Sequence, residues 1–468
     1  MTFHDLFRRT SPAIIREYER EHSALPRSLS LPAIVLFGLG TIIGVGIFVV
    51  TGIAAAKYAG PALVLSFVIA GITAILVGLC YAEFAAMAPI AGSAYSYSYI
   101  TIGEFAAWII GWDLILEYVL LISEVAIGWS AYAADFLKLA GADLPPAFTS
   151  APADGGLVNL PAVLLVCSVG ILTWWGLKES VQATTAAIVV KGLVLGIFLV
   201  IGIPHINPAN WSPFMPFGIS GIMLGAAITF NAFLGFDAIS TAAEETKDPQ
   251  RTVPLGIILS VSIAIVLYIL VTLTLTGIMP YYEYSSTAAP AVYALGYAGA
   301  HFGEALISAG LVGGLLAGII VVYYGATRIL FAISRDGLLP PVFMRISPRT
   351  QTPAMSILLI GVVASLIAGF VPITYIVELV NIGTLVAFTI VAVSVIILRS
   401  TRPEIPRPFR CPLVPFVPLV AIALCGYLIV VLPFITHVRF VVWMALGCII
   451  YFLYSRKHSR IGRAGAEG

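Results

Sequence analysis

Lys191 sits where a charge is hardest to keep. It interrupts the apolar run AIVVKGLVLG, 187–196, nine residues beyond Gln182. That is about 13.5 Å along a helix rising ~1.5 Å per residue, near the middle of a membrane core about 30 Å thick. Insertion scales put the cost of a charge there at ~2.5–3.5 kcal/mol or more, so the residue is a functional candidate by default. A buried amine can release and regain a proton, which makes Lys191 the candidate for proton coupling. The bland alternative is a permanently charged lysine that only donates to backbone carbonyls.

Two further stretches carry chemistry through their backbone. LGTIIGVGIF, 39–48, places Gly40, Gly44 and Gly46 inside what should be an unbroken membrane helix, although glycine is roughly 1 kcal/mol worse than alanine in a helix. FNAFLGFDAISTAAEE, 230–245, places Asn231, Gly235 and Asp237 inside a second apolar run. Irregular backbone at membrane depth survives only where it is buried in protein or lines a cavity. Interruptions at corresponding positions of two halves point to a binding site between them. A break around Ile42, Ile43, Gly44, Val45 and Gly46 frees amide N–H groups at the positive end of the second half-helix, a carboxylate receptor that needs no cationic side chain. A break around Phe230, Asn231, Phe233, Leu234 and Gly235 frees carbonyl oxygens that accept from an ammonium. A ligand with both groups on one carbon, an α-amino acid, fits the pair. Close helix packing alone would also explain glycines in one span, and the pairing of two interruptions weighs against it.

Other ionisable and aromatic residues are ranked behind these. Glu117, in GWDLILEYVL, is about twelve residues into its span and is expected to tune the charge of the pocket. Glu124, seven residues on and nearly on the same face, is a weaker candidate. Glu83 and Asp237 lie nearer span ends, where gates or helix–helix polar contacts are expected. Glu244 and Glu245, beside Lys247 and Arg251, read as a solvated loop or an ion cluster at an inner gate. Phe230, Phe233 and Phe236 flank the second break, so one of them can cap a ligand. Tyr95, Tyr97 and Tyr99 read as interfacial belt residues. The run AGLVGGLLAGII, 309–320, is expected to pack closely on the first span, and Tyr323 and Tyr324 to line the distal pocket.

The elements that must position these groups follow from composition. The 468 residues are 60% hydrophobic and 10% charged, against about 25% charged in ordinary soluble domains, so the chain is integral to a membrane. Spans of about 20 apolar residues are counted near 32–56, 61–88, 105–133, 160–177, 183–203, 219–243, 253–279, 303–333, 354–371, 375–398, 415–435 and 438–455. Twelve spans put both termini on one side. With that side cytosolic, every Lys and Arg lies in or beside a cytosolic segment except Lys57, Lys138, Arg439 and the mid-span Lys191. The organisation expected is a cytosolic tail 1–30, a five-helix repeat 31–203, a second and inverted five-helix repeat 204–398, helices eleven and twelve over 399–455, and a cytosolic tail 456–468. Residues 1–27 lack a signal-peptide pattern and read as a tail able to lie on the membrane surface.

Several classes are excluded or set aside. No G-x-x-x-x-G-K-[ST] is present, so the chain has no phosphate cradle for ATP. The five cysteines are scattered, with no metal-site or disulfide spacing. No cofactor, metal or nucleic-acid partner is expected, and an accessory subunit is left open. GISG, 218–221, superficially suits an intramembrane serine protease, but none of the six histidines sits at mid-membrane as a base.

The motifs GLGTIIGVGIF, GPALVLSFVIAG, CYAEFA, GSAYSYSY, GWDLILEY, GFDAISTAAEETKDPQR and VNIGTL, in that order over about 30–460, resemble the amino acid–polyamine–organocation superfamily, within its bacterial branch akin to cationic amino acid transporters. The resemblance implies the leucine-transporter-type fold and amino acid transport, with substrate between spans one and six. In proton-coupled relatives a lysine on span five takes the place of a sodium ion and contacts the broken part of span one; carried over, it is Lys191, and sodium is unnecessary. Two positions depart from the pattern. Val45 replaces the Ser or Thr common between the paired glycines, and Asn231 replaces an aromatic or apolar residue. An amide at 231 can bond a polar substrate side chain or narrow the pocket. The function expected is a proton-coupled symporter of amino acids in the cell (inner) membrane, working by alternating access. The alternatives are a sodium-independent exchanger and a non-transporting amino acid sensor.

Overall fold

Apolar runs bounded by proline and glycine fold as helices here, because a chain in lipid must satisfy its backbone internally. The computed structural model describes residues 29–87, 93–176, 181–241 and 246–459. Expectations for residues 1–28, Lys178, Glu244, Glu245, Arg460 and Arg463 lie outside the described residues. Within them the chain is helical, and the β-pairing is one isolated bridge between Leu29 and Thr246.

Helix α1 (Leu31–Ile42) stops at Ile43, and Gly46–Val50, Thr51–Ala54 and Ala55–Ala59 follow end to end as α2. After the turn at Gly60, where φ is +61°, come α3 (Leu63–Met87), α4 (Ser93–Thr101), α5 (Glu104–Leu139), α6 (Leu160–Trp174) and α7 (Val181–Gly202). Then follow α8 (Gly218–Thr229), the short α9 (Ala238–Thr241), α10 (Pro249–Ile278), α11 (Pro290–Tyr297) and α12 (His301–Arg335). The last four are α13 (Ala354–Phe370), α14 (Ile373–Thr401), α15 (Phe416–Val431) and α16 (Phe434–Ile450).

Eight helical segments among the described residues are long and apolar enough to cross a membrane: Gly46–Met87, Glu104–Leu139, Thr185–His205, Gly218–Ser240, Pro249–Ile278, His301–Arg335, Ile373–Thr401 and Phe434–His458. The shorter apolar helices Leu31–Ile42, Leu160–Trp174, Ala354–Phe370 and Phe416–Val431 accompany them.

Packing sorts the helices into two groups. Helix α10 lies along α3 and α1, and α3 along α8. Helix α12 lies along α5 and α7, and α13 along α6. Helix α14 touches both groups, through α5 on one side and α3 on the other. The polar links between elements are specific. Glu83 of α3, nearly buried, accepts from Arg399 Nε (3.1 Å) and Nη2 (2.6 Å) and from the Cys411 N–H (2.8 Å), with Arg407 Nε at 3.3 Å. The two-pronged guanidinium geometry ties α3 to α14 and to the segment before α15. Of its two expected roles, Glu83 therefore takes the helix–helix contact.

Three expectations change in the folded protein. Tyr95, Tyr97 and Tyr99 are buried rather than interfacial: Tyr97 stacks on Phe84 at 4.9 Å, and Tyr95 donates to Asp336 at 2.8 Å. Sequence periodicity does not say whether the end of a helix is covered by its neighbours. The small-residue run 309–320 faces α7, not the first span, since an added Cβ at Gly310 meets Val194 and one at Gly314 meets the stem of Lys191. Tyr323 donates to the Ile357 carbonyl at 2.7 Å, on the α12–α13 side of the bundle, and Tyr324 packs with Arg328 one turn along α12.

Candidate functional site

Helix α1 ends because Ile43 turns extended, at φ −73° and ψ 103°. The chain re-enters helix immediately, with the Ile47 and Phe48 N–H groups closing on the Gly44 carbonyl at 3.3 Å each. The N–H groups of Gly44, Val45 and Gly46 have no backbone acceptor among the described residues, and they open the first turn of the second half-helix. That turn is where the helix dipole is positive and amides face outward. An added Cβ at Gly44 meets no atom within 4 Å, so this turn borders open space.

The second break is a mirror in kind. Helix α8 runs to Thr229, Phe230–Phe233 tightens to a 3-10 turn, Leu234 goes extended at ψ 144°, and Gly235 takes φ +101°. Only glycine adopts that angle without strain. A Cβ at 235 would also press on the Thr41 carbonyl at 2.8 Å. The breaks touch directly, since a Cβ at Gly46 would lie 2.4 Å from Ala232 Cα.

Each half-helix that stops leaves carbonyls to be satisfied, and long-range side chains supply the donors. Lys191 of α7 donates from Nζ to the Gly40 and Ile43 carbonyls at 2.6 Å each. Tyr268 of α10 donates from its hydroxyl to Ile42 (3.0 Å) and Ala232 (2.9 Å), one carbonyl from each break. Thr41 bonds the Gly235 carbonyl at 2.9 Å. Asn381 of α14 donates to the Ala227 and Ile228 carbonyls at 2.9 Å, at the end of α8. Tyr132 of α5 donates to Phe48 at 2.5 Å. A cation at the carboxyl end of α1 also matches the negative end of that helix dipole.

The residues singled out in the sequence fall into three places. Ile42, Ile43, Gly44, Val45 and Gly46 form the first break, and Phe230, Asn231, Phe233, Leu234 and Gly235 the second. Lys191 bridges to the first. The phenylalanines hold the second break by aromatic packing: Phe230 meets Phe388 at 5.9 Å, Phe233 meets Tyr268 at 5.3 Å, and Phe236 meets Tyr81 at 5.8 Å and Phe388 at 5.1 Å. Glu117 lies in an acidic group with Asp113 and with Asp237, two residues past Gly235 of the second break, next to Thr384. Glu124, ranked lower by sequence, touches the second break directly, accepting from Asn231 Nδ2 at 3.2 Å. Two residues that the sequence did not single out, Tyr268 and Asn381, complete the site. Tyr268 and Asn381 are single polar groups in apolar runs, a pattern the sequence does offer.

Tyr268 carries its own expectation. Tyr268→Phe keeps the ring and strands the Ile42 and Ala232 carbonyls, which should cost about 1–3 kcal/mol for each buried acceptor left unpaired. A drop in melting temperature together with weakened ligand binding is the expected result, read by thermal denaturation in detergent with and without amino acid.

Long apolar helices that break in pairs make this an integral membrane protein, and the family and relatives it matches are transporters rather than enzymes. A family model described as amino acid permease matches residues 29–454, and the chain belongs to that family. It is 44% identical over 460 residues to the methylthioribose transporter of Bacillus subtilis (strain 168), covering 98% of this chain and 99% of that protein. It is also 44% identical over 444 residues to the branched-chain amino acid permease BcaP of the same organism, covering 94% and 95%. Similarity extends to the vacuolar cationic amino acid transporter 4 of Arabidopsis thaliana, 39% identical over 81% of this chain and 64% of that protein.

Proposed function

We propose that the protein is a proton-coupled symporter of amino acids, driving uptake across the cell membrane by alternating access. The observation that carries this reading is the contact of Lys191 Nζ with the Gly40 and Ile43 carbonyls, beside the free N–H groups of Gly44, Val45 and Gly46. A charged lysine ties α7 to the end of α1. A neutral one donates less strongly and releases it, so proton occupancy and the position of the broken helix are linked. An ammonium held there supplies the charge that a sodium ion would otherwise bring. The substrate carboxylate takes the N–H groups of the first break, and its ammonium takes carbonyls of the second.

The architecture proposed is twelve spans, as a five-plus-five inverted repeat of leucine-transporter type with two further helices. Helices α1 and α2 together make the first span, and the turn at Gly60–Pro61 divides α2 from the second. Both broken spans open their half of the chain. The two packing groups, α1 with α3, α8 and α10, and α5 with α6, α12 and α13, are the parts that would rock against each other. The distribution of basic residues supports a cytosolic location for both termini.

Two relatives of equal identity carry names with different substrates, a methylthioribose and branched-chain amino acids. The paired breaks favour the zwitterion, because they offer donors and acceptors a few ångströms apart and methylthioribose carries neither an ammonium nor a carboxylate. Thermal stabilisation of the purified protein by a panel of amino acids and methylthioribose, in sodium-free buffer, tests this. Stabilisation by amino acids is expected; stabilisation by methylthioribose alone would overturn it.

A further inference from the structure

The break at 230–235 holds two polar side chains that the backbone chemistry does not require. Glu124 of α5 is 1% exposed and Asn231 is 5% exposed. Glu124 Oε2 accepts from Asn231 Nδ2 at 3.2 Å, while Oε1 is buried with no hydrogen-bond partner among the described residues. The helix face that carries Glu124 also packs on the first break. One turn further along α5, a Cβ on Gly128 would stand 3.3 Å from Val45, so that face of the helix lies against the turn carrying the free N–H groups. An acceptor buried without a donor is costly, and such groups are uncommon in folded proteins. Its retention at this position is explained by a donor that arrives with the ligand.

We propose that Glu124 and Asn231 read the variable group of the substrate, selecting one that carries a hydrogen-bond donor over an aliphatic group of the same shape. The inference rests on the amino acid reading above, in which the main-chain groups of the substrate occupy the two breaks. The donor is a hydroxyl, amide or ammonium, each of which satisfies Glu124 Oε1. A methyl group in its place leaves the oxygen unpaired, and sites built around a hydrogen bond reject the analogue that lacks it far more strongly than apolar pockets reject an extra group. Asn231 holds the carboxyl in place, and its amide is the second polar group within reach.

Threonine and valine are nearly isosteric and differ by this one donor. Competition against a bound labelled amino acid, in purified protein reconstituted in liposomes, should show threonine preferred by about 10- to 100-fold. Glu124→Leu should bring the ratio to about one, and Glu124→Gln, which still accepts from Asn231 through its carbonyl, should retain a measurable threonine preference. Equal binding of the two isosteres by the wild-type protein overturns the proposal while leaving the amino acid reading intact. So does an unchanged ratio in Glu124→Leu. If that variant does not fold, the wild-type ratio and Glu124→Gln decide. Binding of neither isostere, nor of any other amino acid, overturns both readings together.

Discussion

Lys191→Ala is expected to abolish proton-driven accumulation of substrate while leaving a folded protein. The side chain donates to two carbonyls at the end of α1, and hydrogen bonds to charged groups are worth about 1.5–3 kcal/mol each. Their loss frees α1 from α7, a change of about 3–6 kcal/mol in the preference for the conformation described here. At about 1.4 kcal/mol per tenfold change, that is roughly 10²–10⁴ in a conformational equilibrium. The bundle itself is held by apolar packing across all of its helices, so cooperative unfolding should survive. Accumulation that still followed the pH gradient in Lys191→Ala would reduce the lysine to a structural cation. Folding is checked by size-exclusion profile and melting temperature, and coupling by uptake at matched and unmatched pH.

Gly46→Leu is expected to remove substrate binding altogether, and even Gly46→Ala should weaken it severely. A Cβ at Gly46 would stand 2.4 Å from Ala232 Cα and 2.7 Å from Ala232 N. Both are backbone atoms of the opposite break, so no side chain can rotate away. The breaks would have to separate by about 1 Å to restore ordinary contact, and overpacking of this kind costs about 1–3 kcal/mol. The N–H groups of one break and the carbonyls of the other then lose their common spacing. Gly44→Ala is the informative comparison for stability: its Cβ meets no atom within 4 Å, so its melting temperature should match the wild type. Titration calorimetry with the substrate distinguishes the cases, and wild-type affinity in Gly46→Leu would remove the first break from the binding site.

What the sequence made legible were departures from an apolar background. Glycines inside a membrane run, an asparagine in the second run and a lysine at mid-span each carry a cost that composition alone exposes, and the structure places all of them at or against the two breaks. What it did not make legible were partners. Tyr268 and Asn381 look like ordinary polar residues of apolar helices, and their role appears only when the carbonyls of Ile42, Ala232, Ala227 and Ile228 are left open by breaks far away in the chain. Glu117 and Glu124 illustrate the same limit. Seven residues apart, they share a helix face within about 20°, so only the neighbouring helices decide that one meets Asp113 and Asp237 and the other meets Asn231. The run 309–320 announced close packing correctly in kind, but the element it packs on is α7.

On the proposed reading, the paired breaks and Lys191 make one proton-coupled amino acid site. The most direct test of that reading is uptake of labelled amino acids into proteoliposomes in sodium-free buffer, with and without an inward proton gradient. Accumulation above the external concentration, dependent on the gradient and abolished by a protonophore, is expected. Uptake that appears only against preloaded amino acid and ignores the gradient would contradict it, making the protein an exchanger and Lys191 a fixed cation.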